Sequence, residues 1–334
     1  MTDKDVYLAA SGCSAVRHID TDASYGKFSS SAIVECDATT LTMGDAITID
    51  AGYTDQHQNI FEGYVAKIEY LRPDNLIRLT CYDRLILAAN YFIVADDPEA
   101  PFQRNNILSF DLIKDLLALA SPLLTTDIYD DTSLTFTWGT NDDGARFNLQ
   151  SVADACNFIA QTTGNILYCG PSGHIHFSPR KPYAEAGDTS THSFTSGSVS
   201  PNIIDIQYSA ATDKTRNVVK IFGKTPLSAQ ASAPNSYLVV DQTMVVASDM
   251  LDTDELCQGA ADVNLELLNH LTESLDLTVI GDPSVRVLGI ADVTDDFIGF
   301  SARKVFLYKV AHNIDQKSGY YLSITAVPIP LPIV

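Results

Sequence analysis

Two histidines, His174 and His176, have the residue type and spacing that come nearest to a metal site in this sequence. They are two positions apart in a strand-like run, so both imidazoles face the same side and can share a metal ion. The sequence places no third ligand beside them, and they fall in a predicted hairpin that closes a small unit. We therefore interpret them as two solvated or hydrogen-bonded histidines.

Adjacent aspartates form a second chemical candidate, because paired carboxylates can hydrolyse glycosidic bonds when their separation in space is suitable. Each pair lies beside Gly, Pro, Ser or Asn, where aspartate favours turns. None has the ligand spacing of an EF-hand loop, although any of them can bind Ca²⁺ weakly. We interpret all four as solvated loops: Asp96–Asp97, Asp130–Asp131, Asp142–Asp143 and Asp295–Asp296.

The common catalytic and phosphate-binding motifs are missing. The sequence contains no G-x-G-x-x-G, no G-x-x-x-x-G-K-[ST], no H-E-x-x-H and no G-x-S-x-G. The single tryptophan, Trp138, is as easily a core residue as a platform for a ligand. We therefore predict that the chain is not an enzyme, has no catalytic, cofactor-binding or metal-binding residues, and needs no cofactor.

The composition describes an ordered, acidic protein. Of the 334 residues, 46% are hydrophobic and 19% are charged, which is typical of a globular chain. Forty-two acidic against 21 basic residues give a formal charge of −21, which argues against a surface that grips nucleic acid. The same charge suits a surface along which nucleic acid passes without adhering.

Cysteine usage and hydropathy indicate where the chain folds. The six cysteines are scattered and form no C-x-x-C, so we predict free thiols in a reducing compartment. The N-terminal residues lack the basic start and apolar core of a signal peptide. No run approaches the ~20 apolar residues of a spanning helix. These features predict a soluble protein, made in a cytoplasm and not inserted in a membrane.

The chain divides into three segments of different character, and together they predict an α+β, mainly β fold. Residues 1–90 read as a first β-barrel-like module, in which the segments "IFEGYVAKIEYL" and "LIRLTCYD" form a hairpin about Pro73, Asp74 and Asn75. Gly63 in the first of these strands predicts a bulge or a bend. Residues 91–190 read as a small α/β module, with helices near 107–121 and 149–163 and a hairpin over 165–177.

Residues 191–334 read as a second β-barrel-like module with a helical insertion near 250–272. The spacing of Asp252 and Glu255 predicts a capping box at the start of that helix. The two β-rich ends have the character of distant relatives, but the sequence alone does not establish a duplication. The chain ends in a proline-rich tail, "AVPIPLPIV", which is extended and apolar. Either it lies on its own domain or it docks on a neighbouring subunit or partner.

Ordered segments along the chain resemble the contractile-tail phage baseplate hub proteins, the Mu-like and late-control-D-like tail hubs. The first is "GDAITIDAG" (44–52), followed by "IFEGYVAKIEY" (60–70) and by "LIRLTCYDRL" (76–85), which has the family's T-C-x-D pattern. The helix-plus-hairpin unit at 151–177 is similar to the family's next unit. The strand pair at 202–224 is similar to the opening of its second barrel, with Arg216 as the common basic residue. The turn "PSGHIH" and the proline-rich tail depart from the family pattern.

The resemblance implies a structural role. Such hubs are homotrimers around a channel, and two barrel-like domains per subunit make a pseudo-six-fold ring. This ring joins the six-fold tail tube, or its initiator protein, to the three-fold spike, beside other baseplate proteins. The implied location is the virion tail baseplate, assembled in the host cytoplasm. The implied channel carries DNA without specific binding, and the hub of a genome-free injection machine fits the same residues.

Two other classes of function stay open at this point. One is a tail-tip enzyme that degrades the cell wall, a glycosidase or peptidase using an acidic pair or the two histidines. The other is a receptor-binding or carbohydrate-binding tail module, for which exposed aromatic residues on one face are expected.

Overall fold

The computed structural model describes residues 5–72, 74–95, 101–132, 136–140, 144–181, 183–197, 201–270 and 272–330. In this part of the chain, strands dominate, as the predicted α+β, mainly β class requires. The strands are β1 Val6–Ala10, β2 Cys13–Ser24, β3 Ser31–Thr39, β4 Ala46–Tyr53, β5 Gln56–Leu71, β6 Leu76–Tyr82, β7 Phe92–Ile93, β8 Phe102–Arg104, β9 Ile107–Leu108, β10 Ile128–Asp130, β11 Thr137–Trp138, β12 Ala145–Phe147, β13 Gln150–Ser151, β14 Asn165–Cys169, β15 Ile175–Pro179, β16 His192–Thr195, β17 Ile203–Ala211, β18 Val218–Phe222, β19 Ser228–Ser232, β20 Thr243–Ala247, β21 Thr272–Ile280, β22 Ile290–Asp295, β23 Phe300–Asp315 and β24 Gly319–Pro328.

Four helices complete the described elements: α1 Ile86–Ala89, α2 Ser109–Ala120, α3 Val152–Thr162 and α4 Asp254–Leu268, with a 3₁₀ turn over Pro122–Thr125. Helices α2 and α3 fall in the two segments whose apolar spacing predicts helices. The side chain of Thr253, at the N-cap of α4, accepts a hydrogen bond from the Leu256 amide. The capping box predicted from Asp252 and Glu255 is therefore wrong, because the helix begins one residue later than that spacing requires. None of the helices in the described ranges is long and apolar enough to cross a bilayer.

Strands β1–β6 form the first barrel, paired in the order β1-β4-β5-β6-β3-β2. β1 and β2 are at opposite ends of this path, yet only Ser11 and Gly12 connect them in the chain. In a flat sheet the two end strands would be about 24 Å apart. Three Cα–Cα steps reach at most about 11 Å. The six strands must therefore curl until the two ends meet.

Strands β16, β17 and β21–β24 form the second barrel, paired in the order β16-β22-β23-β24-β21-β17. Its two ends also meet. The Thr195 amide at the end of β16 donates to the side chain of Asn202, just before β17, at 2.8 Å, and the Asn202 amide donates back to the Thr195 carbonyl at 3.0 Å. Each barrel thus has a closed interior, which alternating apolar side chains fill.

The two barrels have the same topology. If the six strands of each are numbered in chain order, both follow the spatial path first, fourth, fifth, sixth, third, second. They differ at the first strand, which is antiparallel to the fourth in the first barrel and parallel to it in the second. The second barrel also carries an insertion, residues 212–271, between its second and third strands. The structure therefore shows a repeated strand order, here called the duplication, which the sequence alone does not establish.

The β-bulges of the two barrels match as well. In each barrel the ladder between the second and third strands shifts once, after Val16 in β2 and after Ile203 in β17. The ladder between the fifth and sixth strands also shifts once, just before a lysine that faces a threonine: Lys67 opposite Thr80, and Lys309 opposite Thr325. A third shift falls between the fourth and fifth strands of each barrel. Bulges at equivalent places fix which residues of the two barrels correspond.

The hydrophobic cores are distributed differently from the chain segments. One cluster of buried apolar residues fills both barrels. A second cluster joins α2, α3 and the β14–β15 hairpin to the inserted β18–β20 sheet and α4. The insertion thus packs on the α/β module as well as belonging to the second β segment of the chain. The division into 1–90, 91–190 and 191–334 stays a prediction.

Gly63 occupies a position of close backbone approach. A Cβ atom at this residue would lie 2.2 Å from the carbonyl oxygen of Tyr82 in β6. The ladder shifts of β5 lie elsewhere, near Ile60 and between Val65 and Lys67. Of the two predicted alternatives, a bulge or a bend, the bulge at Gly63 is therefore wrong, and the close approach of the neighbouring strand requires glycine there.

Candidate assembly surface

His174 and His176 lie in an aromatic cluster. The ring of His176 is stacked between Tyr129 and Tyr168, with centroids 5.3 and 5.1 Å away, and its Nδ1 is 3.0 Å from the carboxylate of Asp131. The His174 ring packs edge-on against Tyr129 at 5.4 Å. The two histidines thus share a tyrosine and face one side, as the strand spacing predicts. Among the described residues no three His, Cys, Asp or Glu side chains are grouped as a metal ion requires.

The acidic pairs that the structure describes are turn residues. Asp130 accepts two hydrogen bonds from Thr132, its amide and its hydroxyl, which is an Asx-type turn. Asp295 is buried, and it accepts hydrogen bonds from the Ser196 hydroxyl and from the amides of Phe297 and Ile298. These contacts occupy both carboxylate oxygens of Asp295, whereas both bonds to Asp130 go to its Oδ1. The interpretation as a solvated loop is therefore wrong for Asp295, because Ser196 from another strand end covers it. Asp96, Asp97, Asp142 and Asp143 lie outside the described residues.

Trp138 is a core residue. Its side chain is fully buried, and its indole Nε1 donates to the Ser109 hydroxyl at 2.9 Å. A buried indole with a satisfied N–H cannot serve as a platform for a sugar ring. This position therefore gives no support to a carbohydrate-binding module.

The two barrels are joined edge to edge by β2 and β23. These strands pair antiparallel, with His18 opposite Asp315, Asp20 opposite Asn313, and Ser24 opposite Lys309. Eight strands thus follow one another without a break: β17-β21-β24-β23-β2-β3-β6-β5. Every step along this path is antiparallel, so successive strands alternate in direction.

One face of this eight-stranded sheet covers the barrel cores, and the opposite face, here called the outer face, is polar. Short hydroxyl side chains recur on it, as at Ser274, Thr278, Ser323 and Thr325, and they are only partly exposed. Thr325 donates to the Asp276 carboxylate of the neighbouring strand at 2.7 Å. The outer face is therefore largely hydrophilic across both barrels, with a hollow beside the β2–β23 junction whose lining includes Arg17, Glu35 and Asp315.

Acidic side chains outnumber basic ones on the outer face. The cations there are held by carboxylates: Arg78 bonds to Glu35 at 2.6 Å, Lys67 to Glu69 at 2.8 Å, and Lys309 to Asp22 at 3.4 Å. Because each lysine or arginine is already paired, few free cations are presented to a polyanion. The acidic residues on this face are Asp20, Asp22, Glu35, Glu69, Asp205, Asp276 and Asp315.

A partly buried polar cluster links the barrels to each other behind the junction. The guanidinium of Arg286, in the loop before β22, donates to the Asn59 carbonyl of β5 at 3.0 Å. The Gln58 side chain donates in the other direction, to the Pro283 carbonyl. Below this loop, the buried His312 lies 2.6 Å from the hydroxyl of Tyr320. The two bonds between this loop and β5 join residues more than 200 positions apart and so link the two barrels directly.

Acid is expected to destabilise the fold through His312. Burial lowers its pKa from 6.5 to about 3, so the folded protein keeps it neutral while the unfolded chain protonates it below pH 6.5. Its contribution to the unfolding free energy therefore falls as the pH drops from 6.5 toward 3, by up to about 1.4 kcal/mol per pH unit. Burial raises the pKa of Asp83 to about 6, which offsets part of this loss between pH 6 and 4.

The variant His312→Gln tests this assignment by urea unfolding at pH 7.5, 6.0 and 4.5. As the pH falls from 7.5 to 4.5, the unfolding free energy of the variant minus that of the wild type should rise by about 1–3 kcal/mol, because the variant lacks the titrating imidazole. His57→Gln, at a half-exposed histidine paired with Asp50, is the matched control and should follow the wild type. Parallel pH profiles for His312→Gln and the wild type would contradict the assignment.

Comparisons with solved structures identify the fold. A tail protein from Neisseria meningitidis MC58 superposes with a TM-score of 0.71 at 15% identity, over 96% of this chain and 95% of its own. The 43 kDa tail protein of prophage MuSo2 from Shewanella oneidensis gives a TM-score of 0.67 at 15% identity, over 97% and 98% of the two chains. The E. coli c3393 protein, a type VI secretion system component similar to the T4 tail proteins gp27 and gp5, gives 0.57 at 10% identity, over 97% and 77%.

No protein-family model matches this sequence, and no curated protein does. The similarity is therefore one of fold, and it extends over nearly the whole chain. The expected resemblance to tail hub proteins is confirmed at that level. Neither the histidine pair nor the acidic pairs gave any indication of this, whereas the ordered β-segments did.

Proposed function

We propose that this chain is a structural baseplate hub of a phage tail, or of a related injection machine. In this role three copies form a ring with a central channel, which joins a six-fold tail tube to a three-fold spike. The protein acts without catalysis, and its location is the tail of the virion after assembly in the host cytoplasm. Its partners are two further copies, the spike, the tube or its initiator, and other baseplate proteins.

The duplication of the barrel is the observation that carries this proposal. A ring of three chains, each with two barrels of the same strand order, presents six similar modules and also keeps a true three-fold axis. Such a ring can therefore contact a six-fold partner on one side and a three-fold partner on the other. The fold shared with tail proteins of Neisseria and Shewanella supports the same role.

The continuous outer face supports a channel of useful width. Three copies of an eight-stranded sheet give 24 strands, and at about 4.8 Å per strand their circumference is about 115 Å. The corresponding diameter is about 37 Å, or about 25 Å once inward side chains are allowed for, and strand tilt widens it. Such a bore admits a nucleic-acid duplex. Its excess of carboxylates would repel the phosphates, so that DNA passes without adhering.

Mass in solution tests the proposed ring. By light scattering, the protein alone or mixed with its spike should give three times the chain mass of 36.3 kDa, before the mass of the spike is added. A monomer under both conditions, over a wide range of concentration, would rule out the ring. Clearing of peptidoglycan in a zymogram would instead favour the cell-wall enzyme, and none is expected.

A further inference from the structure

Two strand edges remain open at the ends of the eight-stranded sheet. In the part of the chain that the structure describes, β17 pairs only with β21, so its other edge has no strand partner. The second half of β5, residues 66–71, pairs with β6 on one edge, while the ladder with β4 ends at Tyr64. Open edges of this length template further pairing and are normally covered in a native assembly.

The duplication shows what covers such edges. The strand equivalent to β17 is β2, and the strand equivalent to β5 is β23; in one chain, β2 and β23 pair with each other. The open edge of β17 thus corresponds to the edge of β2 that β23 covers. The open edge of β5 corresponds to the edge of β23 that β2 covers. The pairing of β2 with β23 within one chain is here called the internal junction. Each of its two edges thus has an equivalent elsewhere in the chain that lacks a strand partner.

Strand direction allows the two open edges to meet. Seven antiparallel steps separate β17 from β5, so these strands run in opposite directions. When a second copy is placed beside the first, in the same orientation about a ring axis, its β5 faces β17 as an antiparallel neighbour. The contact joins two different edges, so repeated rotation closes it into a ring.

The matched bulges give the register. The strand pairings can be followed from β6 through β3 to β2, and in the second barrel from β24 through β21 to β17. In this way Ala23 corresponds to Ala210, Ser24 to Ala211, and Asp20 to Gln207. In the same way, Lys309 corresponds to Lys67, Val310 to Ile68, and Asn313 to Leu71. The pairs of the internal junction thereby translate into pairs between copies.

We infer that β17 of one copy pairs with residues 67–71 of the next, with Ala211 opposite Lys67, Ala210 opposite Ile68, and Gln207 opposite Leu71. This deepens the proposed ring and rests on it. No like charges meet in this register, since the next outer-face pair is Ser209 opposite Glu69. The eight-stranded sheets of three copies would then form one continuous channel wall.

The exposure of Tyr70 is the clearest evidence that the open edge of β5 lacks a neighbour in the single chain. Its side chain is 77% exposed, although the equivalent His312 of the second barrel is only 4% exposed. Across the internal junction the His312 amide donates to the hydroxyl of Thr21 in β2. The residue equivalent to Thr21 is Tyr208, so in the inferred interface Tyr70 would lie against Tyr208 of the next copy. An exposed tyrosine at a position built for a covered side chain fits a surface buried in assembly.

Cysteine cross-linking of the full chain tests the register. The pair Ala211→Cys and Lys67→Cys should give covalent trimers on oxidation, seen on a non-reducing gel and stopping at three copies. The pair Ser24→Cys and Lys309→Cys, at the equivalent internal positions, should form a bond within one chain and thus calibrates the geometry. The pair Ala211→Cys and Leu71→Cys is the out-of-register control, because about 13 Å would separate its Cα atoms, beyond the ~7 Å limit of a disulfide. Each single variant controls for the native thiols.

The outcomes separate the register from the ring. Covalent trimers from the in-register pair alone support the inference. A trimeric mass in solution without that cross-link, while the internal pair does oxidise, overturns the register and leaves the ring intact. A monomeric mass alone and with the spike overturns both, and cross-linking that stops at dimers overturns a closed three-fold contact.

Discussion

Replacing Arg303 with alanine is expected to lower the free energy of unfolding by about 3–5 kcal/mol. Arg303 Nη2 donates to both carboxylate oxygens of Glu273, at 2.9 and 2.8 Å, and to the Ile329 carbonyl at 2.6 Å. Glu273 is buried, and the hydroxyl of Tyr208 in β17 is its other partner, at 2.6 Å. Removing the guanidinium leaves a buried carboxylate with one donor. Urea unfolding at pH 7.5 measures the loss.

A double variant separates the cost of the orphaned charge from the value of the pair. Arg303→Met combined with Glu273→Leu replaces both partners by apolar side chains, so it should recover most of the stability lost in Arg303→Ala. Arg104→Ala, which breaks a half-exposed bond to Asp115, is the matched surface control and should cost less than about 1 kcal/mol. A loss at Arg303 as small as that at Arg104 would show that Glu273 is not held by this pair.

The second large effect is on assembly: Tyr70→Asp should yield a folded monomer. In the isolated chain the side chain is mostly exposed, so the substitution should change the unfolding free energy by less than about 0.5 kcal/mol. In the inferred interface the new carboxylate would lie beside Tyr208, which already donates to the buried Glu273. An unpaired buried charge of this kind costs about 3 kcal/mol or more, which weakens each contact at least about 150-fold.

Sedimentation velocity at several concentrations measures this loss, with circular dichroism to verify the fold. Leu149→Asp is the matched control, because Leu149 is also 77% exposed and belongs to none of the strands of the two barrels. It should assemble like the wild type. If the Tyr70→Asp protein still forms trimers at the concentrations at which the wild type does, this edge is not an interface.

Local elements of this protein follow from local sequence. Leu112, Leu116 and Leu117 recur at helical spacing and lie on the buried face of α2. In β24 every second residue from Tyr320 to Ala326 is buried, as period-two alternation requires. These features depend on neighbours within a few positions, so a single segment contains the information. The exceptions are close contacts with distant strands, such as Gly63 beneath the Tyr82 carbonyl.

The environments of the polar candidate residues could not be predicted without the tertiary structure. Whether Trp138 is a platform or a core residue depends on Ser109, which lies far from it in the sequence and accepts its N–H. Whether Asp295 is solvated or buried depends on Ser196, about a hundred residues away. In sequence these residues look like any exposed tryptophan or turn aspartate, because burial is set by what packs over a side chain.

By itself, the sequence determined the strand-rich character, the positions of the helices, the acidic charge and an ordered resemblance to tail proteins, since all of these reside in residue types and short spacings. Only the tertiary structure decided that the two barrels share one strand order. It also decided that the edges of β2 and β23 are paired with each other, whereas the equivalent edges of β17 and β5 are open. Pairing is a relation of backbone hydrogen bonds and register between segments up to about 300 residues apart. Such bonds leave almost no trace in side-chain identity, because any residue except proline can make them.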